Sequence, residues 1–287
     1  MTGALRPPEI TLRAQVAALL EASAPKPGNV GRHHDFGDTS FDDFLLSAAA
    51  IGPALGEAAT LGVGGAVEQA IAETRRWVRT NTNLGIVLLF APLARAAALD
   101  AGPLRSRVSE VLAELTVADA RAAYAAIRAA SPGGLGEVPE QDVRGTPTAS
   151  LREAMRLAAD RDSIAREYVT DFALTFETAL PALRRSRTAG AGWPAAVLET
   201  FLTLLAAAPD SLIARKRGPS AAAAASREAA RVLACGPPGS AERDAAVARL
   251  DRALRSDGNA LNPGTTADLT AAAIFALLLE DGPSGQE

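Results

Sequence analysis

TLRAQVAALLE, residues 11–21, is the stretch that decides the fold class, because its apolar side chains follow a helical spacing. They lie at Leu12, Val16, Leu19 and Leu20. This spacing places them on one face of an α-helix. Thr11 is a candidate N-cap, and Pro25 follows just beyond the predicted end of the helix. The same periodicity recurs along the chain.

Further helical patterns cover most of the remaining sequence. They lie at 41–55 (with Ser40 as a candidate cap), 66–79, 84–99, 104–115, 118–129, 151–159, 164–186, 194–207, 220–234, 241–256 and 266–279. No convincing run of β-branched residues alternates with period two. The sequence therefore predicts an all-α, single-domain multi-helix bundle over residues 1–280, with a disordered tail at 281–287 and an active site in a cleft formed by interhelical loops.

Composition narrows the class of protein. Hydrophobic residues make up 48% and charged residues 22%, while aromatics are only 4% and alanine dominates, which favours close-packed helices. A net charge of −4 argues against a nucleic-acid or anionic-membrane partner. Cys235 is the only cysteine, and no apolar window reaches the length of a membrane span. We expect a cytoplasmic protein with small-molecule substrates, and alanine-rich helices that would suit a homodimer.

The loop PKPGNVGRHHDF, residues 25–36, combines an irregular backbone with charged side chains. Lys26 and Arg32 are candidate phosphate ligands, Lys as a point charge and Arg as a planar fork. Asp35 and Asp38 are candidate Mg²⁺ ligands, since this ion prefers oxygen donors. The competing interpretation is a solvent-exposed turn before a helix.

Two further loops carry polar or glycine-rich segments. Thr80-Asn81-Thr82-Asn83-Leu84-Gly85 offers amides that can read a nucleobase or hydroxyl groups, although Thr82 or Asn83 could simply cap the next helix. Ser131-Pro132-Gly133-Gly134-Leu135-Gly136-Glu137 offers backbone amides for phosphate, although a flexible loop explains it equally.

Three later segments mix charge with helix-capping residues. At 160–165, Asp162 or Ser163 is a candidate cap for the long helix that follows. Between Asp210 and Gly218, three consecutive cations at 215–217 form either an anion site or a solvated basic patch. In Asn262-Pro263-Gly264-Thr265-Thr266-Ala267-Asp268, either threonine can cap the last helix, with the aspartate in its first turn.

Taken together, these segments resemble the triphosphoribosyl-dephospho-CoA synthase family. Residues 25–32 match its Pro-Lys-Pro-Gly-x-Val-x-Arg, and Asp38 with Phe44 and Ser47 falls where the family has an acidic residue and a helix entry. Residues 81–85 resemble Asn-Thr-His-x-Gly, with Asn83 in place of the His, and 262–269 resemble Ser-Pro-Gly-Gly-Ser-Ala-Asp-Leu. Residues 210–218 resemble Asp-x-x-x-x-Arg-x-x-Gly, and the similarity keeps one order over residues 21–279.

The resemblance implies an all-α transferase that uses ATP as a substrate and Mg²⁺ as a cofactor. It would move the 5-triphosphoribosyl group of ATP to a hydroxyl of 3'-dephospho-CoA and release adenine. Glu137, Asp142 and Asp38 are the catalytic candidates, and Asp35, Asp38 and Asp268 are the metal candidates. The implied substrate- and ATP-binding residues are Lys26, Pro27, Gly28, Asn29, Arg32, His33, Asn81, Thr82, Asn83, Gly133, Gly134, Asp210, Arg215, Lys216, Asn262 and Gly264.

Three alternatives stay open at this point. The same chemistry could act on a different cofactor precursor, for example a methanopterin-type C1 carrier. A non-catalytic helical protein could keep the loops for nucleotide binding alone. A metal-dependent hydrolase using His33, His34 and Asp35 is less consistent with the spacing, because adjacent histidines do not share one helix face.

Overall fold

The computed structural model describes residues 3–32, 34–100, 102–132 and 140–282. Within these residues the chain forms fourteen α-helices and one π-helical segment: α1 (Pro7–Ser23), α2 (Phe41–Gly56), α3 (Ala58–Arg75), α4 (Leu84–Ala97), α5 (Leu104–Ala113), α6 (Val117–Ala130), α7 (Leu151–Ala158), α8 (Ser163–Val169), the π-helical segment (Leu174–Ala179), α9 (Leu180–Thr188), α10 (Trp193–Ala207), α11 (Ser211–Arg217), α12 (Pro219–Ala234), α13 (Ala241–Arg255) and α14 (Gly264–Asp281). The β structure found in the same residues is one isolated bridge between Gly31 and His34. The predicted all-α class is confirmed.

Several helices begin at reciprocal caps that the sequence encodes locally. At the start of α2, the Ser40 hydroxyl accepts a hydrogen bond from the Asp43 amide, and the Asp43 carboxylate accepts one from the Ser40 amide. Thr116 with Asp119 and Ser150 with Glu153 repeat this arrangement at α6 and α7. Each such box satisfies two amides that the helix leaves unpaired. The predicted cap at Ser40 is confirmed.

Helix α1 differs from its prediction in its start and in its core face. It begins at Pro7, because a proline at the first helical position has no amide to leave unpaired. Thr11 therefore lies inside the helix, where its hydroxyl donates to the Gly52 carbonyl oxygen of α2 at 3.2 Å. Leu12 of the predicted apolar face is 57% exposed. Small side chains let α1 approach its neighbours closely, so its buried face is formed by Ile10, Ala14, Ala17, Ala18 and Ala22.

The single long helix predicted at 164–186 is interrupted. Asp171 and Phe172 adopt left-handed φ angles of 51° and 59°, which separate α8 from the π-helical segment. The fully buried carboxylate of Glu167 accepts hydrogen bonds from the Leu174 amide, the Thr175 amide and the Thr175 hydroxyl at 2.6–2.9 Å. This carboxylate replaces the backbone partners that the break removes.

Helices α4 and α14 form the centre of the larger core. Most of the side chains of both helices are buried. Gly85 at the start of α4 lies against Asp268 of α14, and further along the rings of Phe90 and Phe275 stack with centroids 4.4 Å apart. The two helices therefore run side by side in the same direction, and their amino-terminal ends open at the same place.

A second, smaller core lies beside the first. It is formed by apolar side chains of α10 to α13, among them Phe201, Leu202, Ile213, Leu250 and Leu254. Helix α10 belongs to both cores, because its Val197 and Leu204 join the larger one. The assignment of residues 1–280 to one domain stays a prediction.

No single helix in the described part of the chain is long and apolar enough to cross a membrane. One pair, α10 with α11, meets the length and composition criteria only when both are taken together, and it is bent by 56°. Residues 283–287 of the predicted tail lie outside the described residues.

We expect Glu167→Ala to lower the free energy of unfolding by about 3 kcal/mol, because three buried donors lose their acceptor. Glu177→Ala is the matched control: Glu177 lies on the other side of the break, in the π-helical segment, and pairs with Arg105 near the surface, so its loss should cost less than about 1 kcal/mol. Urea denaturation measures both. Equal effects of the two substitutions would contradict this account of the break.

Candidate functional site

A cavity of about 570 Å³ lies at the amino-terminal ends of α4 and α14. Its other walls come from the end of α1, the loop before α2, the end of α6, helices α7 and α8, helix α11 and the loop before α14. Some of the lining side chains are apolar, among them Ile127, Leu151, Met155 and Ile164. Many others are polar or charged, so the cavity suits a ligand with both characters.

Most of the predicted site residues that the structure describes line this one cavity. They are Lys26, Asn29, Asp38, Asn81, Thr82, Asn83, Asp142, Arg215, Lys216, Asn262, Gly264 and Asp268. Pro27, Gly28, Arg32, Asp35 and Asp210 are not among the lining residues. His33, Gly133, Gly134 and Glu137 lie outside the described residues.

The backbone of the 25–31 loop is fastened to α13. Gly28 has a φ of 76°, and its amide donates to Asp251 at 2.8 Å. Arg255 pairs with the same carboxylate and donates to the Asn29 carbonyl oxygen at 2.6 Å. A Cβ atom on Gly28 would lie 2.8 Å from the Leu254 side chain, so glycine is required here. Gly28 faces α13 and is not among the lining residues, and its predicted role in binding substrate stays a prediction.

Lys26 is only 4% exposed and already has three acceptors. Its Nζ atom pairs with the Glu21 carboxylate at 3.1 Å and donates to the carbonyl oxygens of Glu21 and Ala24. An ammonium group has three protons to donate, so all three are used. Lys26 therefore holds the loop in place while it lines the cavity, and its predicted role as a phosphate ligand stays a prediction.

Arg32 and Asp35 are exposed and pack at the start of α2. Asp35 accepts a hydrogen bond from the Phe41 amide at 2.8 Å, and the Arg32 guanidinium lies 6.0 Å from the centre of the Phe41 ring. Among the described residues, no three His, Cys, Asp or Glu side chains lie close enough to hold a metal ion by themselves. The predicted metal group of Asp35, Asp38 and Asp268 is therefore not assembled, because its members are held by different elements.

The amides of the loop before α4 shape that loop. Asn81 accepts a hydrogen bond from the Leu84 amide at 3.1 Å, so it does the capping predicted for Thr82 or Asn83. Asn83 donates to the Thr74 hydroxyl of α3 at 3.0 Å, and the Thr82 hydroxyl bonds that of Ser47 in α2. The loop is thus tied to two helices while still lining the cavity.

Asp268 lies on the cavity wall against the first turn of α4. Helix α14 begins at Gly264, so the predicted caps Thr265 and Thr266 are inside it, and Asp268 lies in its second turn. A Cβ atom on Gly85 would lie 2.0 Å from Asp268 Oδ2, so only glycine allows this approach. Burial raises the pKa of Asp268 well above its ordinary value, and the negative charges of nearby carboxylates raise it further.

The segment at 209–218, expected to be a loop, is largely helical, and Asp210 is its cap. One oxygen of this 2% exposed carboxylate accepts the amides of Leu212 and Ile213. The other accepts the amide and the hydroxyl of Thr266, which joins α11 to α14. These hydrogen bonds position the two helices, and the substrate contact predicted for Asp210 stays a prediction.

The three cations of α11 have different environments. Arg215 pairs with Asp162, the confirmed cap of α8, at 2.9 Å. Lys216 lines the cavity and donates to the Asn259 carbonyl oxygen at 3.0 Å, which leaves further protons for a ligand. Partial burial lowers the pKa of Lys216, and Asp38 across the cavity opposes this shift. Arg217 pairs with Asp257 and is not among the lining residues.

Several cavity residues were missed in the sequence. Arg79 directly precedes the polar loop at 80–85, and this position was its only signal. Glu21 is hidden at the end of an amphipathic helix, and Arg161 flanks the capping residue of α8. Tyr124 has no motif around it, yet its hydroxyl donates to the Gln141 carbonyl oxygen at 2.6 Å and holds the wall at 140–143.

Comparison with known proteins gives consistent results. The sequence profile of the family described as ATP:dephospho-CoA triphosphoribosyl transferase matches residues 7–286. The 2-(5''-triphosphoribosyl)-3'-dephosphocoenzyme-A synthase of Klebsiella pneumoniae is 30% identical over 197 residues, which are 68% of this chain and 61% of that relative. The chain thus spans less than two thirds of that relative's length. A crystal structure from Archaeoglobus fulgidus, provisionally named a triphosphoribosyl-dephospho-CoA synthase, matches with a TM-score of 0.64 and 28% identity over 83% of this chain and 100% of that one.

We expect Lys26→Met to lower the free energy of unfolding by about 3–5 kcal/mol, since it leaves the buried Glu21 carboxylate without its partner. The double variant Glu21→Gln/Lys26→Met should recover most of that loss, because it leaves no buried charge. Chemical denaturation of the wild type, both single variants and the double variant measures this cycle. A Lys26→Met protein of unchanged stability would instead leave Lys26 available as a ligand.

Proposed function

This chain belongs to the family described as ATP:dephospho-CoA triphosphoribosyl transferase, and we propose that it carries out the transfer that this description names. The 5-triphosphoribosyl group of ATP would move to a hydroxyl of 3'-dephospho-CoA, and adenine would leave. The single observation that carries this proposal is the convergence of polar segments from six distant parts of the sequence on one cavity of nucleotide size.

The triphosphate has suitable partners among the cations that line the cavity. Lys216 and Arg215 line it, and Arg79 is an exposed lining residue. The parallel helices α4 and α14 begin beside the same cavity, but the Leu84 amide is already bound by Asn81 and the Thr266 amide by the Asp210 carboxylate. We therefore assign the triphosphate to the three cations.

Charge balance in the cavity favours a divalent cation with the triphosphate. Among the described lining residues, six are acidic and five are basic, and Lys26 is already paired. Of the predicted Mg²⁺ ligands, Asp38 fits best, because it lines the cavity, is exposed and accepts one hydrogen bond, from the Thr39 hydroxyl. Bound Mg²⁺ would neutralise part of the phosphate charge.

The nucleobase or the ribose would meet residues whose hydrogen bonding is incomplete. In the described residues, the buried oxygens Thr80 Oγ1 and Asn262 Oδ1 have no partner. Buried polar atoms without a partner cost about 1–3 kcal/mol each, so they are rare away from ligand sites. Both residues line the cavity beside Asn81 and Gly264. These four residues are our candidates for recognising the ribose hydroxyl groups and the nucleobase.

In the proposed reaction, the bond between C1 of the ribose and the adenine nitrogen breaks, and a bond from C1 to the acceptor oxygen forms. The acceptor hydroxyl loses its proton, and adenine leaves with one. Such a centre passes through an oxocarbenium-like transition state. Asp142, one predicted base, is held by Arg144 at 2.9 Å through both carboxylate oxygens. Glu137, the other predicted base, lies outside the described residues.

Incubation of the chain with Mg-ATP and 3'-dephospho-CoA should form free adenine, one molecule for each ATP consumed. Chromatography of the nucleotides and bases measures this directly. Formation of ADP and phosphate in place of adenine would contradict a glycosyl transfer.

The acceptor can be tested in the same assay. Adenine formed only with another cofactor precursor would keep the chemistry and change the substrate. ATP binding without adenine under any acceptor would instead support a non-catalytic nucleotide-binding protein. Mass analysis of the ribosylated product identifies the acceptor.

Lys216→Met should raise the KM for ATP about 10- to 100-fold, because a charge-assisted hydrogen bond contributes about 1.5–3 kcal/mol. Arg217→Met is the matched control: it removes the next cation of α11, which pairs with Asp257 and is not among the lining residues. Its KM should stay within about twofold of the wild type, as expected for a surface pair. Steady-state kinetics at saturating acceptor compares them, and equal changes in both variants would contradict the assignment.

A further inference from the structure

The acidic side chains of the cavity differ in whether they already have a partner. Glu21 pairs with Lys26, Asp162 with Arg215, and Asp142 with Arg144. Asp38 and Glu140 are exposed to solvent. Asp268 alone is only partly accessible and has no hydrogen bond or ion pair within the described residues.

The position of Asp268 is fixed by its neighbours. The close approach of Gly85 limits the carboxylate on one side, because the missing Cβ would lie only 2.0 Å from Oδ2. Thr265, Thr266 and Leu269 are buried around it in α14, so the side chain has little room to turn away from the cavity. A carboxylate held in this way is placed before any ligand arrives.

The electrostatic environment of the Asp268 carboxylate lowers the stability of the folded protein. Three acids, Glu21, Asp162 and Asp210, repel its charge, while Arg215 attracts it. Burial and this repulsion raise the pKa of Asp268. An enclosed acid without a partner destabilises a protein, and such groups occur mainly at functional sites. In its ionised form the carboxylate repels phosphate oxygens, and a positive charge beside it is what favours that form.

Resting on the proposed transferase function, we propose that the Asp268 carboxylate faces C1 of the ATP ribose and stabilises the positive charge there in the transition state. This is the only part of the reacting substrate that becomes positive as the bond to adenine breaks and the bond to the acceptor oxygen forms. The carboxylate makes and breaks no covalent bond in this step. Its stabilising effect is present in the transition state and small in the ground state.

Asp268→Asn tests this role with little change of shape. We expect kcat for adenine formation to fall about 100- to 1000-fold, as when other preorganised electrostatic groups are removed. The affinity for ATP, measured by calorimetry without acceptor, should be unchanged or tighter, because a negative charge near the triphosphate is lost. The Mg²⁺ concentration that gives half-maximal rate should not change. Asp244→Asn, on the exposed start of α13, is the control and should keep wild-type kinetics.

A second variant keeps the carboxylate and displaces it. Gly85→Ala places a methyl group where Asp268 Oδ2 lies, so it should also lower kcat while the helix-favouring alanine preserves α4. Circular dichroism and thermal denaturation verify the fold of both variants.

Three results would overturn the inference. The first is an Asp268→Asn enzyme whose kcat stays within about threefold of the wild type. Such a fall in kcat is smaller than the fall that the loss of one electrostatic group causes. The second is recovery of its rate at high Mg²⁺, which would make Asp268 a metal ligand. The third is a wild-type chain that forms no adenine, which refutes the proposed function and this role together. The first two refute the role of Asp268 alone.

Discussion

The close, parallel packing of α4 against α14 is the constraint on which the rest of the structure depends. Stacked Phe90 and Phe275 hold the middle of the pair, and the absent side chain of Gly85 lets the beginnings of the two helices meet at Asp268. Because both helices are almost wholly buried, their ends cannot shift without opening the larger core. The pair therefore supplies the cavity with the beginnings of two helices and one carboxylate in a fixed arrangement.

The remaining walls are attached to this pair by polar contacts that do not themselves face a ligand. Asp210 joins α11 to α14, and the Lys26–Glu21 pair fastens the loop after α1. The amides of Asn81 and Asn83 tie the loop before α4 to its surroundings. The buried groups among these, Asp210, Asn83 and the Lys26–Glu21 pair, make irregular loops rigid.

The sequence predicted the helices well because their signals are local. Capping residues such as Ser40 and Asp162, and prolines near helix starts, act within a few residues of one another. The fold class and the gathering of the polar loops were also foreseeable. The core face of α1 was not foreseeable, because tertiary packing buries the alanines of this helix and not its leucine-rich side. The interruption near Asp171 depends on a buried carboxylate whose partners lie beyond the break.

The roles of individual residues were harder to predict than which residues line the cavity. A charged residue in a motif can contact a ligand, or it can support the loop that contacts the ligand. The sequence motif is the same in both cases. Lys26 and Asp210 belong to the second kind, and Arg215 shares its charge with Asp162. Only distances separate these cases. Asp268 shows the reverse, since its position in a helix start suggested dipole complementation, yet it has no partner in the described residues.

The fastening of the 25–31 loop by α13 has a consequence for how the protein matures in the cell. The partners of Gly28 and Asn29 are Asp251 and Arg255, 223 and 226 residues later in the chain. During translation, the early helices can form as soon as they leave the ribosome, but this loop must wait for nearly the whole polypeptide. Contacts of such long sequence separation form late and slow folding. The nascent chain thus remains without a finished cavity until synthesis is almost complete.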